Sequence, residues 1–569
     1  MRLLLLAVLL ACCSFTAKGQ EKIIEHEGND YIIHVEPLNP DREMTLLDVL
    51  HICPELISLD GKALVADYLL SVDDILLSID YEPLLQNIKA CDLSEVTVRK
   101  YGSVINGMEG LIGYIDLKFR EGSGMTGKLA LSGSTYGNGQ VYADVAGRGE
   151  KVTVRAIAQT NLQYGRSGAL SGCSVTSRNG IENAMLFVDW QATEKDLVRL
   201  KLSQGYDEQK DLHHNIDQED ESEFLRMRWV EFVAAYEHLL NEQEASLNFE
   251  TGLNHGNTLM DDLGIKNISP WWIAECSVPF LKHALTMTAG YEIGYSNFWY
   301  PTVRREQYLY NDLYVQLDFK KGPWVASIGD RFRHNTFWDK HYDQQTETLW
   351  SHNRNNHALH ASLGYKAGRH FVQGTFGRSF INPLVSNFCF YTEEGTIQHN
   401  TDYKTNLAWR SEARYTYQTK RLVAMACVTH TRLTDMPSPN ESLTGFETSF
   451  NWQQGALRLT AGANVYHDHI SDVEPLNDTY YVLKFAPVLL LGKGFRLSSM
   501  LIYNSKQDES ERHAHLYGSV KLNKELGKRC NVFADFHDWA GQPKIDTTPM
   551  GQAYYNRALT IGLTYYLGN

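Results

Sequence analysis

After its first residues this chain has no uncharged apolar run of the ~18 residues that a membrane-crossing helix requires. That excludes a helical membrane protein. An excess of basic charge is also missing. Lys and Arg total 53 against 68 Asp and Glu, a net charge of -15, which argues against nucleic acid as a partner. Cysteines are few and scattered: two of the nine, Cys12 and Cys13, fall in the apolar leader, and the rest show no Cys-x-x-Cys spacing. A zinc signature and a dense disulfide framework are thereby excluded, and Cys53 and Cys91 read either as a pair or as isolated small core residues. No Gly-x-Ser-x-Gly, His-Glu-x-x-His or P-loop spacing occurs, so no catalytic residue, cofactor site or metal site is assigned. Gly122-Ser-Gly124-Met-Thr-Gly127 matches G-x-G-x-x-G, but it leads into strand-like sequence and lacks the helix N-terminus that would hold a pyrophosphate. His467-Asp468-His469 and the acidic stretch around His213 and His214 read as solvated loop charge.

Long helical periodicity is scarce, and alternation takes its place. Leu559, Ile561, Leu563, Tyr565 and Leu567 alternate with Thr560, Gly562, Thr564 and Tyr566. Leu313, Val315, Leu317 and Phe319 alternate with Tyr314, Gln316 and Asp318. Period 2 is the signature of a strand with two unlike faces. Aromatic residues reach 11%, with 31 Tyr and 11 Trp, yet mean hydropathy is only -0.34. A lipid-embedded barrel has that composition, because only alternate residues meet lipid. Alternation alone also suits a soluble sandwich, and the connections distinguish the two. Tight turns such as Gly147–Glu150, Lys320–Gly322, Gln453–Gly455 and Gly492–Gly494 alternate with long stretches such as 165–180, 207–223, 337–356, 382–403 and 540–557. Short turns on one rim and long loops on the other are the habit of outer-membrane barrels, and the tally reaches about 22 antiparallel strands.

The start of the chain differs. Residues 1–19 combine one Arg, an apolar stretch from Leu3 to Leu10 and the small-x-small site Ala17-Lys18-Gly19, which reads as an export signal, with Ala11-Cys12 as the alternative, lipidated junction. Thr45 with Asp48 forms a capping-box pattern. Leu46, Val49, Leu50 and Cys53 then share a helical face until Pro54. A strand at Ile75–Ile79, a helix at 83–90 and a strand around Val96 and Val98 complete a small α/β unit with a marginal core. Four glycines follow, Gly102, Gly107, Gly110 and Gly113, before Tyr114–Phe119 alternates again.

These pieces resemble the plug domain of TonB-dependent outer-membrane receptors. Leu93-Ser-Glu95-Val-Thr97-Val98 and Gly113-Tyr-Ile115-Asp116-Leu117 stand where that family has paired strands around a Gly-rich turn. Leu47-Asp48-Val49-Leu50 with Pro54, and Ile79-Asp80, stand at two further plug positions, although Glu55 and Tyr81 replace the glycines expected there. The resemblance implies an export signal (1–19), a periplasmic segment (20–43), a plug (44–121) inside the barrel lumen, and a barrel (122–569). It also implies a segment gripped by the TonB-type complex of the inner membrane, for which Ile23, Ile24 or Tyr31, Ile32 and Ile33 are the candidates. The expected partners are outer-membrane lipid, a scarce nutrient of unspecified chemistry, and a surface lipoprotein. The expected function is energised import across the outer membrane without enzymatic activity. The alternative is an unpowered receptor, adhesin or scaffold on the same fold.

Overall fold

In this computed structural model the described residues are 23–567, apart from 28–29, 57–67, 74, 77–81, 100–112, 121–123, 136, 169–173, 215–220, 242–244, 261–262, 301–303, 343–346, 382–388, 392–396, 400–405, 435–440, 471–475, 506–513, 538 and 540–557. The expected export signal, Ile79, Asp80, Gly102, Gly107 and Gly110 lie outside the described residues.

The N-terminal unit is a six-stranded mixed sheet with two short helices. Its strands are β1 (Ile24–Glu27), β2 (Asp30–His34), β3 (Tyr68–Val72), β4 (Ile75–Leu76), β5 (Leu93–Arg99) and β6 (Gly113–Phe119), in the order β1-β2-β5-β6-β3-β4. Only the β3–β6 pairing is parallel. Helix α1 (Leu46–Leu50) begins as the sequence dictates. The Thr45 side chain accepts from the Asp48 amide while the Asp48 carboxylate accepts from the Thr45 amide, satisfying two otherwise orphaned donors. Its apolar face, Leu46, Val49 and Leu50 with Cys53 beyond, is wholly buried. Helix α2 (Glu82–Asn87) is shorter than the expected 83–90 because Ala90–Asp92 tightens into a 3-10 turn leading into β5.

Two sequence expectations change here. Tyr68–Val72 is a strand the alternation rule misses: its run Tyr-Leu-Leu-Ser-Val lies in a parallel pairing and carries no period-2 signal. The split at residues 43 and 44 runs through the sheet, since β1 and β2 supply two of its strands and bury Ile24, Tyr31 and Ile33 completely.

From Gly124 to Leu567 the chain forms a closed barrel of 22 strands, every pairing antiparallel, with the last strand (Ala558–Leu567) hydrogen-bonded to the first (Gly124–Ser134). Closure matters because an open edge in lipid leaves a row of unpaired N–H and C=O groups, each costing several kcal/mol. The faces resolve the sandwich alternative. Ile561 and Leu313 are about 60% exposed on the outside, whereas Tyr314, Gln316 and Thr564 are buried on the inside. Apolar out and polar in suits a barrel whose solvent is hydrocarbon. Trp324 and Tyr365, 4.7 Å apart edge to face, sit on the outer face beside the tight turns, where an interfacial aromatic belt belongs.

The four tight turns named from the sequence fall between paired strands, and glycines in the left-handed region serve such connections, among them Gly322 and Gly368 at φ 61°. Two of the long connections, however, are shorter than expected, while 540–557 lies outside the described residues. Strand 324–342 and the 21-residue strand 347–367 consume most of the stretch read as a loop at 337–356, and strands 196–214 and 221–239 do the same to 207–223. A tilted strand crosses hydrocarbon in ~9–11 residues. Beyond that the ladder continues in water, where both faces are polar and the alternation that marks a strand disappears.

The outward placement of Leu563 generates a test. Leu563→Arg should lower barrel stability by roughly 2–4 kcal/mol, whereas Leu563→Phe should change it by less than about 1 kcal/mol. Urea unfolding in phospholipid vesicles reads both, and equal losses would place residue 563 away from lipid.

Candidate functional site

The candidate site is the N-terminal unit where it meets the barrel's inner wall. Its apolar core is shared. Plug residues such as Leu46, Val96 and Leu117 cluster with Tyr142, Ile157, Met185, Phe187, Val423 and Met425, all inward-facing barrel side chains. A unit this small buries little surface by itself, and the wall completes its core.

The rest of the seat is polar. After α1 the chain runs against the wall, where Ser449 Oγ donates to the Ile52 carbonyl at 2.5 Å and Asn464 Nδ2 to the Pro54 carbonyl at 2.9 Å. Glu55 is the residue that departs from the resembled pattern, and its carboxylate accepts from the Tyr31 hydroxyl at 2.5 Å and faces the Arg414 guanidinium at 3.5 Å. That guanidinium also contacts Glu412 at 2.9 Å and lies over the Tyr31 ring, 4.6 Å from its centroid. All of this is buried, so β2, the turn after α1 and one barrel strand meet in a single charge-assisted cluster. Lys484 Nζ lies 2.7 Å from His51 Nε2. Burial first, and the Lys484 charge second, hold the His51 pKa well below its usual value, so a neutral imidazole accepts from the ammonium.

Further around the lumen, Arg458 meets Asp41 at 3.0 Å, and Arg496 stands 3.6 Å from both Asp41 and Asp48. Glu43 accepts from Tyr566 at 2.9 Å and Lys89 at 3.2 Å. Burial pushes its carboxyl pKa up, but Lys89, Lys521 and the Tyr566 bond outweigh it and keep Glu43 ionised. Lys128 donates to the Asn87 carbonyl at 2.7 Å, and Arg155 lies 3.3 Å from the Phe119 ring centroid. On the opposite side the Gln418 side chain both donates to the Ile24 carbonyl and accepts from the Ile24 amide, like one rung of a β-ladder. Contacts from so many strands place the sheet within the lumen.

Of the residues named from sequence, Ile23, Ile24, Tyr31 and Ile33 are buried and Ile32 is half-buried in β2. They pack in the plug sheet instead of hanging free. Leu47 is half-buried, Val49, Leu50, Pro54 and Val98 are buried, Glu95 pairs with His34 at 3.2 Å, and Gly113 opens β6. Cys53 and Cys91 are free thiols. Burial and the Asp92 charge push the Cys91 thiol up to about 11, so it stays protonated. Sequence reading missed the partners on the wall, Arg414, Ser449, Asn464, Lys484, Arg458 and Arg496. Their one signal is being polar residues on the lumen side of the alternation. The inner wall also carries glycines that ring side chains cover: a Cβ on Gly252 would stand 2.0 Å from Trp271, and one on Gly290 2.3 Å from Tyr314.

The Arg414 cluster sets a prediction. Arg414→Met removes the guanidinium from the buried Glu55 carboxylate, and should weaken plug seating by about 3–5 kcal/mol. The buried Cys53 thiol provides the readout. Its labelling rate in urea should rise in Arg414→Met, and adding Glu55→Gln should restore much of the protection. An unchanged rate would show that the cluster does not hold the plug.

Compared by sequence, no family model matches this chain and no curated protein matches it. Compared by structure, the siderophore receptor PirA from Pseudomonas aeruginosa superposes at TM-score 0.67 and 12% identity, over 96% of this chain and 100% of that one. The copper transporter OprC does so at 0.73 and 10%, over 97% and 100%. The FrpB iron transporter from Neisseria meningitidis does so at 0.70 and 10%, over 95% and 99%. The structural neighbours are transport receptors, and this chain has their fold from end to end: a closed 22-strand barrel with a small N-terminal sheet inside it.

Proposed function

We propose that this chain is an outer-membrane receptor of the TonB-dependent kind, which binds a scarce nutrient on its long-loop side and imports it with energy from the inner membrane. The observation that carries the reading is a wide barrel filled by a small distinct sheet held through a shared apolar core and a set of ion pairs and hydrogen bonds. A barrel of 22 strands encloses an open channel unless it is plugged. The ion pairs of the seat regain their hydration when the filler moves, which offsets part of the cost of parting the shared apolar core. A pore needs no filler, and a lumenal enzyme would not gain from one.

Residues 44–121 together with β1 and β2 form the moving part in this reading, and 122–569 the barrel. The handle is the segment around Ile23 and Ile24, ahead of and within β1. Because Ile24 is clamped by Gln418 and buried in the sheet, an inner-membrane TonB-type protein can grip it only after β1 peels from β2. That makes the pull conditional on a prior loosening of the plug. The structural neighbours carry siderophores, iron or copper by their own descriptions. For this chain the ligand is proposed only as a nutrient too large or too scarce for passive diffusion.

The test is genetic and energetic together. A strain lacking this gene is grown on defined media, each limited in one iron, copper, cobalamin or glycan source, with and without a plasmid copy. The plasmid should rescue growth on one source, and the rescue should vanish in a strain that also lacks the TonB-type energy transducer. Rescue that survives loss of the transducer would overturn the energised reading in favour of an unpowered receptor.

A further inference from the structure

We propose that the short-turn rim of the barrel carries a binding site for a phosphate-bearing anion, in a cleft between β1 and the wall, and that this anion clips β1 to the barrel. The cleft, about 80 Å³, has room for several waters or one tetrahedral oxyanion. Lys320, Lys366, Arg369 and His370 line it from the barrel side, and Glu25 and His26 from β1. Glu25, the one carboxylate in the lining, is already engaged by Lys320 at 3.0 Å and by His34 at 3.4 Å. The lining thus sets Lys320, Lys366 and Arg369 against one carboxylate, a net positive charge.

A second observation points to a ligand independently of charge. The His26 imidazole is 93% buried, lying flat on the Phe371 ring with centroids 3.8 Å apart, and neither of its ring nitrogens has a hydrogen-bond partner among the described residues. The Arg369 Nε is buried and unpartnered in the same way. Leaving a buried polar group unsatisfied costs about 1–3 kcal/mol, so these donors need an acceptor that enters from outside the fold. A tetrahedral oxyanion presents acceptor oxygens in several directions at once, matching donors that arrive from β1 and from two different turns.

Every charged or titratable group around His26 bears on the same step. Glu25 flanks it on β1, Tyr31 stands 6.3 Å away on β2, and Lys366, Arg369, His370 and Arg414 face it from the wall. Burial first, then Arg414 and Lys366, hold its pKa well below the usual value, against a smaller opposing effect of Glu25. An anion seated beside Lys366 offsets those cations, so His26 takes up a proton and becomes a donor. Binding to a headgroup should therefore strengthen as pH falls, because the proton that His26 must take up to become a donor costs less to recruit at lower pH. The clip at His26 sits two residues from Ile24, which Gln418 holds, so anion and amide together fasten the same strand to the rim.

Two sources offer this chemistry: a lipid headgroup, and free phosphate in solution. The aromatic pair Trp324 and Tyr365 lies beside the same turns, which puts the cleft at headgroup level. The test uses the full chain purified in phosphate-free detergent, with phosphorus NMR line broadening as the readout. One arm adds inorganic phosphate. A second compares nanodiscs of phosphatidylglycerol with nanodiscs of phosphatidylcholine. Each is repeated with Lys366→Gln/Arg369→Gln and with His26→Phe, which keeps the stacking and removes the nitrogens. Heat-modified gel mobility confirms that each variant is assembled. We expect binding in at least one arm, about tenfold weaker in the double variant; in the phosphatidylglycerol arm, where the headgroup keeps its charge, it should be independent of pH in His26→Phe. Binding in the first arm alone assigns the site to soluble phosphate, and preference for phosphatidylglycerol assigns it to the headgroup. Absence of binding in both arms, or equal binding by wild type and both variants, overturns the proposal.

Discussion

A strand in hydrocarbon must pair both of its edges, and everything else in this molecule follows from that requirement. The 22 strands meet it by closing, last against first. Closure at that strand number creates a lumen too wide for wall side chains to fill. The N-terminal sheet fills it, and the wall in turn completes a core that the sheet is too small to finish alone. Barrel and plug are separate architectures joined by a mutual deficit.

The chemistry of the seat shows what kind of joint this is. Part of it is apolar, with Tyr142, Ile157, Met185, Phe187, Val423 and Met425 packed into the plug's own core. Interleaved with it are polar contacts: Glu55 on Arg414, Asp41 on Arg458 and Arg496, and Glu43 on Tyr566. Buried ion pairs give back much of their attraction in desolvation, so such a seat specifies position more than it adds stability. A domain held this way has one resting place, which suits the close-fitting, movable stopper of the proposed function.

Much of this was legible in the sequence because it is local. The capping box at Thr45 and Asp48 needs only four residues, and the buried face of α1 only eight. Leu563 against Thr564 needs only a neighbour to show two faces. The seat was not legible, because its halves are far apart in the chain: Glu55 and Arg414 are 359 positions apart. Glu55 stood out as a departure from a resembled pattern, but nothing near it says which cation it meets. Strand β3 was missed because parallel burial erases alternation, and the outer ends of strands such as 347–367 were taken for loops because water on both faces does the same.

The central claim is that residues 23–121 stopper the barrel, and planar-bilayer conductance tests it most directly. Intact chain should insert as a nearly silent barrel. Chain lacking residues 23–121 should still assemble, as judged by heat-modified gel mobility, and should open steady, salt-permeable channels of porin-like size. A truncated barrel that assembles and remains as tight as the intact protein would contradict the account, because the lumen would then be closed by something other than the N-terminal sheet.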